Sequence, residues 1–217
     1  MAGQNLFSIL HDAARPLCFV GHSSLSQEIV SDIKHNRLCV QHSLEELETK
    51  PREWFDQYQF IVLASDVAFK QQAVNFLQQQ QAHFFSIIGK HNVVNPDTVI
   101  GHGTYIYNFN DFLFRGNRIG DHCIVVAYCH FSHGVVIGDY SHISSYTYLS
   151  SCEIGAGSIL GIRTSIIGFN GNNGKVSVAN NTNLMLGSVV TKDLPDTGTY
   201  FGNRRINDKS SLQQRIL

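Results

Sequence analysis

Ile119-Gly-Asp-His-Cys-Ile-Val125-Val-Ala-Tyr-Cys-His-Phe131 opens a stretch in which an apolar residue recurs at every sixth position. The spacing continues to Val190, with one register shift after Leu149 and one failure at Asn172. The anchors are Ile119, Val125, Phe131, Ile137, Ile143, Leu149, Ile154, Leu160, Ile166, Val178, Leu184 and Val190. Hexapeptides with one apolar anchor each are typical of a parallel β-helix, in which three hexapeptides build one triangular coil.

A glycine follows several anchors, as in Ile100-Gly101, Ile119-Gly120, Ile137-Gly138 and Ile154-Gly155. We expect each of these glycines to let the backbone turn a corner of the triangle. The alternative fold is a β-sandwich, whose strands alternate with period two and vary in length. A sustained period of six with a single shift favours the β-helix.

The composition of the 217-residue chain excludes several classes of protein. A net charge of −1 without a basic tract argues against a nucleic-acid groove or an anionic membrane surface. The apolar runs are too short to span a bilayer, and residues 1–12 lack the features of a signal peptide. Five cysteines without CxxC spacing predict buried thiols in a reducing cytoplasm, not disulfides or a zinc site.

The N-terminal part alternates strand and helix patterns. Strands are predicted at residues 17–21, 37–41, 59–64 and 84–88, and helices from Ser26 and from Val67 to Gln81, with helix or loop over residues 45–58. This order predicts a small parallel α/β, Rossmann-like domain over residues 1–90. The turn after Gly21 could place a phosphate or ribose at a helix N-terminus, although no second or third glycine follows it.

The β-helix is predicted over residues 91–195, followed by a polar tail at 196–217. Residues 92–118 keep only part of the period, and their aromatic residues either cover the first coil or face a neighbouring subunit: Tyr105, Tyr107, Phe109, Phe112 and Phe114. Turn-forming residues from Phe169 to Lys175 predict a loop that leaves the prism. Leu194-Pro195 is expected to end the last coil, with a turn at Phe201-Gly202-Asn203 in the tail.

Two of the eleven histidines are singled out by their places in the repeat. His133 lies four residues before the anchor Ile137, and His142 lies five residues after it. Side chains at most non-anchor positions face solvent or a subunit interface, where a groove can form, so His133 is the candidate catalytic residue. His130 is expected to be structural or supporting. Surface or packing roles are expected for His11, His35, His42, His83, His91, His102 and His122.

Four segments together carry a family resemblance: His133-Gly-Val-Val-Ile-Gly-Asp-Tyr-Ser-His142-Ile-Ser, Ile159-Leu-Gly-Ile-Arg-Thr-Ser-Ile166, Gly187-Ser-Val-Val-Thr-Lys-Asp193 and Phe201-Gly-Asn203. They resemble the hexapeptide acyltransferases of the sialic-acid O-acetyltransferase type. The closest similarity is to the bacterial nucleotide-amino-sugar N-acetyltransferases of the bacillosamine and perosamine pathways. The resemblance implies a left-handed β-helix, a homotrimer, and acetyl-CoA in the groove between neighbouring helices.

The resemblance also implies roles for individual residues. His133 corresponds to the general base that takes a proton from the sugar amine as it attacks the thioester. His142 corresponds to a residue beside the acetyl carbonyl or the pantetheine. The implied coenzyme-binding residues are Gly161, Ile162, Leu186 and Gly187. The implied nucleotide-sugar pocket contains Gly21, His22, Ser23, Ser24, Gln41 and Ser65.

The sequence departs from the family pattern at three places. Gly134 stands where a carboxylate often orients the base, so another group orients His133 or it acts unaided. The segment His22-Ser23-Ser24 replaces a glycine-rich turn. Gly202-Asn-Arg-Arg205 replaces Gly-Asn-Pro-Ala, and its two arginines either meet coenzyme phosphates or are exposed charge.

We therefore predict an acetyl-CoA-dependent N-acetyltransferase, without a metal, that acts on a UDP- or dTDP-linked amino sugar in surface-glycan (lipopolysaccharide or O-antigen) synthesis. The tetrahedral oxyanion would be held by backbone N–H groups or by His142. One rival is O-acetylation of a sugar hydroxyl. A hydroxyl needs a base more than an amine does, so Gly134 favours N-acetylation. The other rival is a non-catalytic hexapeptide scaffold or sugar-nucleotide binding protein.

Overall fold

The computed structural model describes residues 7–10, 15–21, 27, 29–31, 38–168 and 174–206. The hexapeptide stretch forms a triangular prism in which successive coils stack on one another. The stacked strands form three sheets, which are the three faces of the prism. Face 1 contains β1 (Phe7–Leu10), β6 (Ser86–Gly89), β9 (Tyr105–Ile106), β12 (Ile124–Val125), β15 (His142–Ile143), β18 (Ile159–Leu160), β21 (Asn183–Leu184), β23 (Thr199–Phe201) and β24 (Arg204–Arg205). Face 2 contains β7 (Val93–Val94), β10 (Asp111–Phe112), β13 (His130–Phe131), β16 (Tyr148–Ser150), β19 (Ser165–Ile167) and β22 (Val189–Val190). Face 3 contains β8 (Val99–Ile100), β11 (Arg118–Ile119), β14 (Val136–Ile137), β17 (Cys152–Ile154) and β20 (Val176–Val178).

The predicted anchors fill the interior of this prism. Each anchor pairs with the anchor of the next coil, as in Ile119 with Ile137 and Val125 with Ile143. All twelve predicted anchors are buried in one cluster, each at most 4% exposed. Inside this cluster the rings of Phe112 and Phe131 stack with centroids 4.3 Å apart. The parallel β-helix is therefore confirmed over the sandwich.

The repeat begins earlier than predicted. Ile88, Val94, Ile100, Ile106 and Phe112 are also six apart, and each lies in a strand of the prism. The predicted strand at residues 84–88 is wrong, because it divides into two strands of different sheets. β5 (His83–Phe84) belongs to the N-terminal sheet, whereas β6 pairs with β9 of face 1.

The prism also continues beyond its predicted end. Leu194 bridges Val178, and β23 pairs with β21, so the expectation that Leu194-Pro195 ends the last coil is wrong. Leu194 and Tyr200 are both buried in the core, which explains why the chain keeps following the prism. The predicted turn is confirmed, since β23 and β24 pair antiparallel around Gly202, which has a φ of 58°.

The N-terminal part contains β2 (Leu17–Val20), β3 (Cys39–His42), α1 (Leu44–Glu48), α2 (Arg52–Phe55), β4 (Gln59–Val62) and α3 (Val67–Gln79), besides β5. Its four strands form a parallel sheet in the order β3-β2-β4-β5. Residues 27 and 29–31 are helical, while Ser26 and Ile33 of the predicted helix lie outside the described residues. It stays a prediction that this part is a Rossmann-like domain and that the domain limits fall at residues 90 and 195.

The N-terminal sheet packs against face 1 of the prism. One apolar cluster joins Leu17, Phe19 and Ile61 to Tyr105 and Ile124 of face 1. A second cluster fills the other side of the sheet with α3 and reaches Tyr140 at the corner between faces 3 and 1. Outward residues on the first strands of face 1, such as Ile87, Tyr105 and Ile124, are therefore buried in a seam, whereas Val93 and Val189 on face 2 are exposed. Each of the five cysteines is a free thiol, and all but Cys39 are buried.

The glycines that follow the anchors have a different role from the one expected. None of Gly101, Gly120, Gly138 and Gly155 has a positive φ; left-handed residues come two positions later, as at His122 and Tyr140. A Cβ at Gly138 would lie 2.5 Å from the backbone nitrogen of Ala156 on the next coil. These positions thus need glycine because neighbouring coils approach closely, and the expectation that these glycines make the turn is wrong.

We predict that Gly138→Ala destabilises the prism by more than about 2 kcal/mol, because the backbone of the next coil must move. Gly116→Ala is the matched control, since its φ is 79° but an added Cβ would approach no atom closer than 3.6 Å. That substitution should cost about 1–2 kcal/mol of left-handed strain. Denaturant unfolding of both variants measures the difference, and equal losses would contradict the close-approach explanation.

Candidate functional site

Three of the residues predicted for the nucleotide-sugar pocket lie at one edge of the N-terminal sheet. Gly21 directly follows β2, Gln41 lies in the adjacent β3, and Ser65 follows β4 and exposes its side chain. The Gln41 amide donates a 2.6 Å hydrogen bond to the carbonyl oxygen of Gly21. Carboxyl ends of adjacent parallel strands are where α/β sheets bind ligands. The other predicted pocket residues, His22, Ser23 and Ser24, lie outside the described residues.

The four predicted coenzyme-binding residues lie together at the corner between faces 1 and 2. The Gly187 N–H donates to the carbonyl oxygen of Ile162 at 2.7 Å, and a Cβ at Gly161 would lie 2.6 Å from the nitrogen of Leu186. Ile162 and Leu186 are 52% and 67% exposed on consecutive coils. The corner therefore offers a glycine-lined, apolar strip along the outside of the prism.

The same corner carries an aromatic ladder below that strip. The rings of Phe109, Tyr128 and Tyr146 stack in sequence, 5.3 and 5.1 Å apart, and the Arg163 guanidinium lies 5.9 Å from the Tyr146 ring centre. All four residues have a positive φ, which aims them outward at the corner. The aromatic residues predicted to cover the first coil therefore divide, because Tyr105 and Phe112 are buried while Phe109 is half-exposed.

His133 lies at a different corner, between faces 2 and 3. Its side chain is exposed, and its ring centre lies 4.2 Å from that of Phe114 on the coil below. Among the described residues, no ion pair or hydrogen bond reaches the His133 ring. The imidazole is therefore open to an incoming substrate, and the orienting group at its back is an aromatic ring.

His130 lies on face 2 and has a carboxylate partner. Its Nδ1 lies 3.1 Å from Asp111 Oδ2, and its ring stacks on Tyr148 at 5.2 Å. Asp111 also accepts the N–H of Leu113 at 2.8 Å. His130 is thus held in place by its neighbours, in line with the structural role expected for it. Sequence reasoning missed Asp111, which lies nineteen residues from His130.

His142 lies on face 1, under the N-terminal part of the chain. Its Nδ1 is buried and has no hydrogen-bond partner among the described residues. Burial lowers the pKa of His142 to about 4, with a further lowering by the nearby Lys70 ammonium. The imidazole is therefore neutral at physiological pH, with one N–H donor and one lone pair, and is not a cation.

Lys70 of α3 is the functional candidate that sequence reasoning missed. Its side chain is fully buried, and burial lowers its pKa to about 8. The signal was its position, because residues 70, 73, 74 and 77 form the buried stripe of α3 and three of them are apolar. His122 lies in the same seam, packed between Phe84 and Tyr140, and burial lowers its pKa to about 4 as well.

One chain does not unite its predicted residues into a single site. His142 and the coenzyme strip lie on face 1 and at its corner with face 2, whereas His133 lies at the far edge of face 2.

Arg205 of the tail donates to the carbonyl oxygen of Thr197 at 2.7 Å and is exposed. A separate cleft of about 870 Å³ lies at the opposite end of the N-terminal sheet, where Gln59, His83 and His122 line it.

Metal-type clusters and membrane-spanning helices are both absent from the described residues. Over these ranges, no group of three or more His, Cys, Asp or Glu side chains has the arrangement of a metal site. In the same part of the chain, no helix has the length and apolar character needed to cross a bilayer.

The fold matches that of solved structures that include an acetyltransferase domain, in line with the fold that the sequence resemblance implied. The acetyltransferase domain of PglB from Neisseria gonorrhoeae FA1090 matches with a TM-score of 0.72 and 18% identity over 88% of this chain and 98% of that one. PerB from Caulobacter crescentus matches with a TM-score of 0.71 and 16% identity, over 89% and 97%. WeeI from Acinetobacter baumannii AYE gives 0.71 and 17%, over 88% and 99%.

Sequence comparison gives a curated relative that matches over part of the chain. Acyl-[acyl-carrier-protein]–UDP-N-acetylglucosamine O-acyltransferase of Pseudomonas aeruginosa is 28% identical over 136 residues, which are 54% of this chain and 41% of that enzyme. The chain thus matches less than half the length of this curated relative. No protein-family profile matches the chain.

We predict that acid destabilises the protein between about pH 6.5 and about pH 4. The pKa values of His122 and His142 are lowered to about 4 in the folded chain, so the unfolded chain binds more protons in this window and stability falls as pH falls. Each histidine contributes up to about 3 kcal/mol to this loss.

Urea unfolding of wild type and His122→Gln across this pH range measures the effect, with the exposed His83→Gln as the matched control. The His122 variant should show a flatter pH dependence and the control should not. An identical slope in all three proteins would refute the assignment.

Proposed function

We propose that the protein is an acetyl-CoA-dependent N-acetyltransferase that acetylates the amine of a nucleotide-linked amino sugar. The observation that carries the proposal is that the prism presents both an exposed histidine, His133, and an outward glycine-lined strip. Solved structures of the same fold contain the coenzyme and a nucleotide-linked amino sugar. The PglB domain is described in complex with acetyl coenzyme A, and PerB in complex with CoA and GDP-perosamine.

In the proposed reaction the sugar amine attacks the thioester carbon, forming the C–N bond while the carbonyl electrons move to oxygen. His133 accepts the amine proton, and collapse of the tetrahedral intermediate expels the coenzyme thiolate, which then regains a proton from His133. A sugar amine is less basic than lysine and is partly neutral near pH 7, so a base without a carboxylate partner suffices. The acetyl group comes from the coenzyme, and no metal takes part.

The N-terminal part, residues 1–90, supplies the nucleotide-sugar pocket in this proposal, as a Rossmann-like unit. The Gly21–Gln41 contact supports it, because a left-handed glycine and a polar side chain meet at the carboxyl ends of two adjacent parallel strands, the edge at which α/β sheets bind ligands. The prism is the left-handed acyltransferase β-helix in this proposal, and it includes β6 and β23 beyond the predicted limits at residues 91 and 195. The nucleobase of the sugar nucleotide is uracil or thymine in this proposal. Guanine is the competing choice, because PerB is described in complex with GDP-perosamine.

The active site is completed by a neighbouring chain in a homotrimer. His133 and the coenzyme strip flank opposite edges of face 2, so a coenzyme on the strip of one chain needs the His133 corner of another. Face 2 and the ladder corner expose Val93, Tyr128, Tyr148 and Val189, an apolar surface that such a neighbour would cover. We place this enzyme in the cytoplasm, in surface-glycan synthesis.

O-acetylation of a sugar hydroxyl is the second candidate. The Pseudomonas relative is an O-acyltransferase, which favours it. The missing carboxylate on His133 opposes it, since a hydroxyl with its high pKa needs a stronger base. A non-catalytic sugar-nucleotide binding protein is the third candidate.

We predict that purified protein transfers acetyl from acetyl-CoA to one member of a panel of UDP-, dTDP- and GDP-linked 3-amino and 4-amino sugars. His133→Ala should lower kcat by about 10²–10⁴-fold because general-base catalysis is lost. Release of free thiol and a mass gain of one acetyl group measure the reaction, and His83→Ala is the control that should keep full activity.

Full activity of His133→Ala would remove His133 from the mechanism. Turnover of 6-hydroxy or 4-hydroxy sugars in preference to every amine would establish O-acetylation. Coenzyme binding without any turnover would point to the non-catalytic candidate.

We predict that two inactive variants restore activity when their chains are mixed. His133→Ala removes the base, and Gly187→Trp blocks the coenzyme strip of the same chain. If each site uses one corner from each of two neighbours, co-expressed chains should recover about a quarter of the wild-type sites. A mixture as inactive as either variant alone would contradict a site shared between chains.

A further inference from the structure

Lys70 carries its ammonium into the seam between α3 and face 1 of the prism. Its side chain is fully buried, and Nζ has no hydrogen-bond partner among the described residues. On the prism side of the seam, His142 Nδ1 is also buried without a partner over the same described ranges. An ammonium offers three protons, and Nδ1 of a neutral imidazole with its proton on Nε2 offers one lone pair. The two orphaned atoms are therefore chemically complementary.

The other groups that face this seam do not compete for the ammonium as strong acceptors. Burial raises the pKa of Cys123 to about 12, so it is a neutral thiol, and its Sγ lies 3.3 Å from the carbonyl oxygen of Gly138. His122 is neutral, and its Nδ1 is also buried without a partner among the described residues, but that atom lies against the backbone of Gly103. The nearby carboxylates Asp121 and Asp139 accept backbone N–H groups of His102 and Asp121 at 2.7 and 2.8 Å. Tyr140 stacks on His122 at the edge of the seam.

We propose that Lys70 is a positioning residue that donates to His142 Nδ1, directly or through one water, and thereby holds the His142 proton on Nε2. The Nε2–H then donates to the thioester oxygen as it gains charge in the tetrahedral intermediate. This inference rests on the acetyltransferase function proposed above. In this inference the oxyanion donor is the neutral imidazole of His142 in a fixed tautomer. The Lys70 ammonium supplies a positive charge on the Nδ1 side of that ring.

The position of Lys70 also links this donor to the sugar pocket. α3 begins at Val67, and its N-cap Asp66 follows directly on Ser65 at the edge of the predicted pocket. The same short segment therefore carries a pocket residue and, one helical turn later, the residue that orients His142. A sugar that settles against Ser65 packs on the helix that holds the oxyanion donor in place.

The experiment follows the imidazole nitrogens of His142 by long-range ¹⁵N–¹H NMR in wild type, Lys70→Met, Lys70→Gln and the exposed control Lys90→Met. Wild type and the control should show His142 as one tautomer, protonated on Nε2, with no titration between about pH 5.5 and 8. Lys70→Met should give mixed tautomers and a His142 pKa higher by about one unit, because a donor and a nearby charge are removed. Lys70→Gln should restore the single tautomer, since its amide still donates.

Kinetics separate this role from a merely structural one. In Lys70→Met, kcat should fall by about 10–100-fold with the sugar KM unchanged, and adding Lys70→Met to His142→Gln should cause no further loss. An unchanged His142 tautomer in a folded Lys70→Met, or additive losses in the double variant, would overturn the proposal. If the NMR result is as expected but wild type transfers acetyl to no acceptor, the pairing stands and the acetyltransferase function fails. If Lys70→Met does not fold, Lys70→Gln alone decides: a mixed tautomer there would overturn the pairing.

Discussion

Close stacking of one coil on the next is the constraint on which the rest of the molecule depends. The anchors meet their counterparts at the spacing of hydrogen-bonded parallel strands, so each hexapeptide has one inward position and its other side chains face outward. Glycine is needed after several anchors because this spacing leaves no room for a Cβ. At Gly138, for example, a Cβ would collide with the backbone of Ala156 on the next coil. Outward positions on successive coils then align in rows. These rows form the ladder, the coenzyme strip and the histidine corner.

What covers each face decides the chemistry of its outward residues. Face 1 is covered by the N-terminal sheet and α3, so His142 and His122 lose water and have pKa values of about 4. No described segment of the chain covers face 2 in this way, so His133, Tyr148 and the ladder keep exposed surface. The same repeat thus presents one histidine to solvent and another to a low-dielectric seam, which gives them different chemical roles.

The seam is also where the fold tolerates its least favourable group. A buried ammonium without a carboxylate is costly, and such groups persist where their chemistry is used. Lys70 lies on the stripe of α3 that otherwise packs Ala73, Val74 and Leu77. An apolar residue there would complete the core, so the lysine is better explained by what lies opposite it on face 1.

The sequence by itself determined the prism, its anchors, the parallel N-terminal strands and the outward setting of His133. These follow from a period of six and from alternating strand and helix patterns, which are local in the chain. Some further features also follow from the local six-residue spacing but were not predicted, such as the earlier anchors Ile88 and Val94. Only the tertiary structure decided that β6 joins the prism, that Asp111 pairs with His130, and that Lys70 is buried in the seam that also contains His142. These outcomes depend on which surfaces pack together, and packing brings residues from 19 to more than 70 positions apart in the sequence near one another, which no local pattern records.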